Sequence, residues 1–195
     1  MATLLRIDSS PAHEPSISRA LTEQFARRWC GPVVDRDLAA TPMPVIDAAW
    51  IAANYTPERD RTPAQRAVLA CSDALVAELL AADDYVLGAP IHNWSTTASL
   101  KLWADQIVRF GVTVAATRGG LRGLLVGKRL TAFVTAGRHL DTNLVVPWLN
   151  QFFGQLGIAP IRIALVDGTA DIKHHKIDRA GFLAPHVATI AGWFA

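Results

Sequence analysis

The sequence predicts a single α/β domain over residues 1–195, built as a doubly wound, five-stranded parallel sheet in a three-layer α/β/α arrangement. Three observations carry this. Short apolar runs alternate with segments of helical period along the whole chain. The connections between successive strands are of crossover length, which joins parallel neighbours with right-handed topology. Tyr85-Val86-Leu87 is apolar without alternation, the pattern of a strand buried on both faces.

At 195 residues one domain buries roughly 70% of its unfolded surface. The composition, 51% hydrophobic and 18% charged, lies at the apolar end of the globular range and points to faces covered by a cofactor or a partner subunit. A net charge of +2 with scattered basic residues argues against nucleic acid as a partner. Cys30 and Cys71 have neither CxxC spacing nor a disulfide framework, so a reducing compartment is expected. The amino terminus enters a strand directly and no apolar run approaches the ~18 residues of a spanning helix, so no membrane association and a cytoplasmic location are expected.

Leu4-Leu5-Arg6-Ile7 reads as the first strand, broken by Asp8-Ser9-Ser10-Pro11. A polar loop containing Ser16-Ile17-Ser18 leads to a helix over about residues 19–29, with Leu21 and Phe25 on one face. Strand, hydroxyl-rich loop and helix form an arrangement that binds phosphate, because serine hydroxyls and unpaired helix amides all donate. Ser16 or Ser18 serves equally well as a simple N-cap.

Residues 33–38 read as the second strand. The long connection over residues 39–61 contains Thr41-Pro42-Met43-Pro44, a short helix from Asp47 to Asn54 and the breaker Tyr55-Thr56-Pro57. Its length suits a lid in which Trp50 and Tyr55 cover a site, or equally a satellite hydrophobic cluster. Thr62-Pro63-Ala64-Gln65 is a capping box with Pro at the first helical position, and Val68, Cys71, Leu75 and Leu79 mark the expected inner face.

That helix delivers the third strand, Tyr85-Val86-Leu87, closed by Gly88-Ala89-Pro90 in a stiff turn. Thr96-Thr97 cap the next helix, with Leu100, Trp103, Ile107 and Phe110 in register and Gly111 as its stop. Residues 112–127 lack helical period and suit a hairpin-like loop. Residues 129–135 and 161–166 read as the fourth and fifth strands. Helices are expected from about Asn143 to Leu156, with Pro147 pointing to a start nearer Val146, and from Ile177 to Trp193.

Two phosphate decoys drop out. Gly123 to Lys128 has its glycines one residue too close for a Walker A loop, lacks Ser or Thr after the lysine and precedes a strand; no GxGxxG occurs anywhere. No metal site is expected, since His174 and His175 are adjacent, would face different ways on a helix and have no clear third ligand.

Three loops should therefore emerge at one sheet edge: the serine loop, residues 90–94 and residues 136–139. In the strand order 2-1-3-4-5 that edge binds a phosphate and then a planar ring between two loops, as flavodoxin-like proteins bind FMN. Asn offers donor and acceptor to a ring edge, and aromatics cover its face.

The residues that now bear weight are Asp37-Leu38-Ala39, Pro42-Met43-Pro44-Val45-Ile46-Asp47, Gly88 through Trp94, and Leu100-Lys101, together with the serine loop. In combination they resemble the FMN-dependent NADH azoreductase / NADH:quinone oxidoreductase family of flavodoxin-like homodimers, over nearly the whole chain. The resemblance implies that Ser9, Ser16, Ile17 (through its backbone) and Ser18 hold the FMN phosphate. It implies that Pro90, Ile91, His92, Asn93 and Trp94 line the isoalloxazine, and that Thr135, Ala136, Gly137, Arg138 and His139 meet its polar edge. Asn93, His92 and Arg138 are the candidate catalytic residues. The implied reaction is a two-electron ping-pong reduction of quinones and azo compounds by NADH or NADPH through flavin N5, in a homodimer.

The chain departs from the family pattern at His92, where Tyr is usual, at Ala136-Gly137-Arg138-His139, where Ser-Arg-Gly-Gly is usual, and at Ala116 and Gln155, where relatives carry aromatic cover. Rival readings are a flavin reductase that releases reduced FMN and a non-catalytic flavin or quinone sensor. A Ser/His hydrolase ranks third, since no GxSxG elbow is present.

Overall fold

A computed structural model of the chain describes residues 1–14, 16–40, 42–139 and 144–194; the expected helix start at Asn143 lies outside them, as does Thr41. Strands β1 (Leu4–Asp8), β2 (Val33–Asp37) and β3 (Asp84–Pro90) are followed by a separate antiparallel hairpin, β4 (Val114–Thr117) and β5 (Gly120–Gly123), and then by β6 (Arg129–Thr135) and β7 (Ile161–Val166). The main sheet is parallel throughout, in the order β2-β1-β3-β6-β7, which is 2-1-3-4-5 when its own strands are counted. The expected flavodoxin-like topology is the observed one, and the hairpin occupies the segment expected to hold one.

All seven residues of β3 are buried. The expected stiff turn at Gly88-Ala89-Pro90 is instead strand: these residues pair with Phe133, Val134 and Thr135. Proline at the last position of a strand forfeits little, because the ladder ends there.

Helix α1 (Ile17–Ala26) begins two residues earlier than the apolar spacing suggests, because Ser16 caps it and accepts from the Arg19 amide at 3.4 Å. After α2 (Ala48–Tyr55), α3 (Pro63–Ala81) starts from the expected capping box, with both reciprocal bonds present. Its buried face is Leu69, Ser72, Leu75, Val76 and Leu79; the expected Val68 is 38% exposed. The helix is turned by what it meets, since Leu69 packs on Trp50 and Ala53 of α2 and the Ser72 hydroxyl donates to the Gln106 carbonyl. Trp50 therefore belongs to a satellite cluster and not to a lid, its indole N–H donating to Gln106 Oε1 at 3.0 Å.

The remaining helices are α4 (Ala98–Ile107), capped by Thr97, α5 (Val145–Gln155), the single turn α6 (Ala170–Lys173) and α7 (Arg179–Gly192). His174 and His175 lie in a turn after α6, not on a helix, and His175 has φ 56°. One core, with α3, α4 and α5, gathers Leu5, Ile7, Leu87, Ala132 and Val134. The other gathers Leu4, Val86, Phe133 and Val166 beneath α1 and α7. Because these strands are parallel, the carboxyl ends of β1, β3, β6 and β7 share one edge of the sheet.

A Cβ at Gly88 would stand 3.0 Å from Asp8 Oδ1 and 3.3 Å from both Ser18 Cβ and Thr22 Cγ2. Gly88→Ala should cost about 1–3 kcal/mol, read as a lower denaturation midpoint, because the bulk meets a packed helix. Gly119→Ala, where a new Cβ meets nothing within 4 Å, should leave the midpoint almost unchanged.

Candidate active site

The first loop is anchored before it reaches any ligand. Ser9 is fully buried, and both its amide, at 3.2 Å, and its hydroxyl, at 2.7 Å, donate to the Gly88 carbonyl. Ser99 at the start of α4 then donates to the Ser9 carbonyl at 3.2 Å, tying the loops after β1 and β3 together. The Ser9 hydroxyl is thereby held against β3. The Ser16 and Ser18 hydroxyls lie 3.2 Å apart at the start of α1, where the first-turn amides have no carbonyl of their own helix to meet. Two hydroxyls and the free first-turn amides thus stand at the positive end of one helix, the donor set an anion requires.

Arg19 holds this loop from below. Its Nη2 donates to the Ser10 carbonyl at 2.6 Å and to Asp37 Oδ1 at 2.7 Å, and Nη1 meets Asp37 Oδ2 at 2.9 Å. That bond is the main reason the Asp37 carboxyl is held below its ordinary range. Asp8 moves the other way: burial raises its carboxyl, against the opposing effects of the Thr22 hydroxyl, donated at 2.7 Å, and of Arg6 and Arg19.

The second loop leaves β3 through an Ile91 amide that donates to the Thr135 carbonyl at 2.7 Å. His92 and Ser95 exchange amide–carbonyl bonds of 2.9 and 3.0 Å across a two-residue turn. Asn93 and Trp94 at its tip have φ 49° and 65°, the left-handed pair of a tight hairpin turn. Asn tolerates that conformation; for Trp it costs about 1–2 kcal/mol. The strained Trp94 also leaves 80% of its surface exposed. A large ring held in solvent at such a cost is what a ligand platform requires.

The third loop follows β6 and is fastened to the chain beyond β7. The Ala136 amide donates to Val166, the Thr169 amide and hydroxyl both donate to the Ala136 carbonyl at 3.1 Å, and the Ala170 amide donates to Gly137 at 2.9 Å. His139 Nδ1 lies 2.5 Å from Asp167 Oδ2.

Between the second and third loops is a slot of about 240 Å³ lined by Ile91, Asn93, Trp94, Ala136, Gly137 and Arg138. These six sequence-predicted residues come together around one space. Pro90 and Thr135 do not reach it; they are a buried strand pair whose register sets the spacing of the two loops. His92 lines a second, larger cleft of about 760 Å³ on the other side of the turn, together with Met43 and residues 95–99, and Asn93 borders both.

Sequence reasoning missed Arg19 and Asp167. The signal for Asp167 was available, since it stands at the carboxyl end of the last strand, the position that marked the other three loops. Arg19 had no comparable signal, being one arginine among many on a helix.

With this geometry in view, residues 2–185 match the sequence profile of the family described by its flavodoxin-like fold. The chain belongs to that family. Among its relatives is an FMN-dependent NADH:quinone oxidoreductase 3 of Burkholderia lata, 48% identical over the full length of both chains. A protein named FMN-dependent NADH:quinone oxidoreductase from Acidobacterium capsulatum is 42% identical over 95% of each chain. Among solved structures, an azoreductase from Bacillus anthracis superposes with a TM-score of 0.86 at 20% identity, covering 100% of this chain and 99% of the other. A Bacillus anthracis FMN-dependent NADH-azoreductase in complex with FMN gives 0.82 at 21% identity, covering 100% and 98%. These last two carry the flavodoxin-like fold; the sequence relatives carry the kinship.

The raised Asp8 carboxyl has a testable sign. A raised folded value makes its contribution to stability greatest below the ordinary 3.8 and lost as pH climbs through the higher folded value. Asp8→Asn, which does not titrate, should gain stability relative to the parent chain as pH rises from 3.8 toward neutrality, measured by paired thermal melts. A difference independent of pH would show that burial does not dominate at Asp8.

Proposed function

We propose that this chain is an FMN-dependent NAD(P)H:quinone oxidoreductase that also reduces azo compounds. The observation that carries the reading is the slot between residues 91–94 and 136–138, with a serine-lined helix start at the same sheet edge. It agrees with full-length relatives named FMN-dependent NADH:quinone oxidoreductases.

The donor set fits FMN. A phosphate dianion needs several donors, and the Ser16 and Ser18 hydroxyls with the Ile17 and Ser18 amides supply them at a helix start. A flavin ring needs a flat slot with apolar walls and a polar end, which Ile91, Trp94 and Ala136 offer beside Asn93 and Arg138. Bound FMN supplies the two-electron exchange between a reduced nicotinamide and an oxidised acceptor.

The side chains have the remaining tasks. Ser9, committed to Gly88, fixes the path of the phosphate loop. The Asn93 carboxamide orients the polar edge of the ring as both donor and acceptor. Arg138 and His139 stabilise the negative charge that gathers there, Asp167 holding the imidazole in place. His92, on the larger cleft, is assigned to hydrogen-bonding the acceptor. NADH or NADPH and the quinone or azo compound occupy the same place in turn, so no side-chain nucleophile is required.

Among the described residues no helix is long and apolar enough to cross a membrane. The reading includes a homodimer in the cytoplasm, supported by apolar side chains left open near the site: Val45 is 73%, Trp94 80% and Leu144 75% exposed. Sedimentation of the FMN-loaded protein should give twice the chain mass at micromolar concentration; a monomer would contradict this part.

Ser16→Ala/Ser18→Ala should weaken FMN binding by about tenfold to a hundredfold, since each hydroxyl donates to a charged group, and leave the far-ultraviolet spectrum unchanged. Asn93→Ala and Arg138→Ala should each lower steady-state NADH:benzoquinone turnover by about tenfold or more. If both variants kept parental flavin content and turnover, the catalytic assignment would be wrong. If NADH oxidation depended on free FMN being present as acceptor, a flavin reductase would be the better description.

A further inference from the structure

At the opposite edge of the sheet, under the carboxyl ends of α1 and α7, is a cavity of about 500 Å³ that flavin chemistry does not use. Its floor comes from the first residues of β6 and β7. The register sets Asp84 beside Arg129 and Thr131 beside Arg162, and alternation brings them to the same face as Phe133 and Val166, which helices cover. Polar residues at such positions are not what packing under two helices selects.

The roof is aromatic. Phe25 of α1 and Trp29, just beyond that helix, meet Trp193 and Phe194 at the end of α7; Phe25 and Phe194 have centroids 4.9 Å apart, and Trp29 and Phe194 stand at 87°. Phe194 meets Phe25 and Trp29 edge to face while Phe25 and Trp29 are stacked, and all four rings line the cavity.

The floor has an unspent cation with a hydroxyl beside it. Arg129 is neutralised by Asp84, through a bidentate pair at 2.6 and 2.8 Å. Arg162 has no such partner among the described residues; its guanidinium carbon lies 4.6 Å above the Trp193 ring. Thr131, 9% exposed, lines the cavity beside Arg162. A hydroxyl that lines a cavity can donate to an acceptor that enters it.

We propose that this cavity is a second binding site, distinct from the flavin site, for a planar aromatic carboxylate. The carboxylate accepts from Arg162 and the Thr131 hydroxyl, and the ring lies among Phe25, Trp29, Trp193 and Phe194. A planar guanidinium matches a carboxylate in two-point geometry while remaining stacked on indole, which a lysine would not do. The charge requirement excludes neutral arenes of the same shape as good ligands, and the aromatic roof disfavours small inorganic anions.

The test uses the FMN-loaded protein and 2-naphthoate as probe, followed by isothermal calorimetry and tryptophan emission. Saturable binding of one naphthoate per chain is expected, with FMN retained. Arg162→Ala should weaken it by about tenfold or more, as should replacing the probe by neutral 2-naphthalenemethanol. Arg162 is exposed, so this variant should keep the parental melting temperature and flavin content; Thr131→Val, of equal shape, provides the second loss. Absence of saturation up to ~10 mM naphthoate would overturn the proposal. So would affinity unchanged in Arg162→Ala, or binding present only in FMN-free protein, which would put the probe in the flavin slot.

Discussion

The Gly88 carbonyl is the point on which the site depends. It accepts from both the amide and the hydroxyl of Ser9, so the loop after β1 is positioned by the central strand before any ligand arrives. The same residue has no side chain, and α1 takes that space: Ser18 and Thr22 approach where a Cβ would stand. One position thus serves both the loop that turns toward the anion site and the helix whose amino end completes it. Burial of all seven β3 residues keeps this position fixed, because a strand covered on both faces has no low-cost way to shift register.

From that point order passes outward through hydrogen bonds. Ser99 reaches the Ser9 carbonyl and connects α4; Ile91 reaches Thr135 and connects β6; Ala136 reaches Val166 and connects β7. Each bond joins loops from different strands, so the slot between residues 91–94 and 136–138 has walls set by the sheet and not by the loops' own preferences. Of the positions where the sequence departs from the expected family pattern, Ala136, Gly137 and Arg138 fall on these walls, whereas His92 lines the larger cleft. Arg138 brings a cation to this end of the slot, and His139 meets Asp167 beside it.

Much of this was legible in the sequence, for identifiable reasons. The sheet order followed from crossover lengths and from the uninterrupted apolar run at 85–87, and the start of α3 from a capping box whose two bonds are both present. The extent of β3 was not legible, because Pro90 reads locally as a breaker while its place at the end of a parallel ladder makes the missing N–H harmless. The inner face of α3 was misread by one position because Ser72 is buried for a hydrogen bond and not for its polarity class. In the site, the Asn93-Trp94 turn signalled its chemistry but not its left-handed backbone, and nothing in the sequence signalled the bond from the Ser9 hydroxyl to the Gly88 carbonyl. Contacts between distant loops of this kind have no signature in local sequence.

The most direct measurement is the visible spectrum of the protein loaded with FMN and desalted, taken anaerobically after NADH and again after a benzoquinone. The account predicts a retained flavin band that NADH bleaches and the quinone restores, with the flavin remaining on the protein throughout. Failure to retain FMN would contradict the three-loop site, and a retained band that NADH does not bleach would contradict the oxidoreductase.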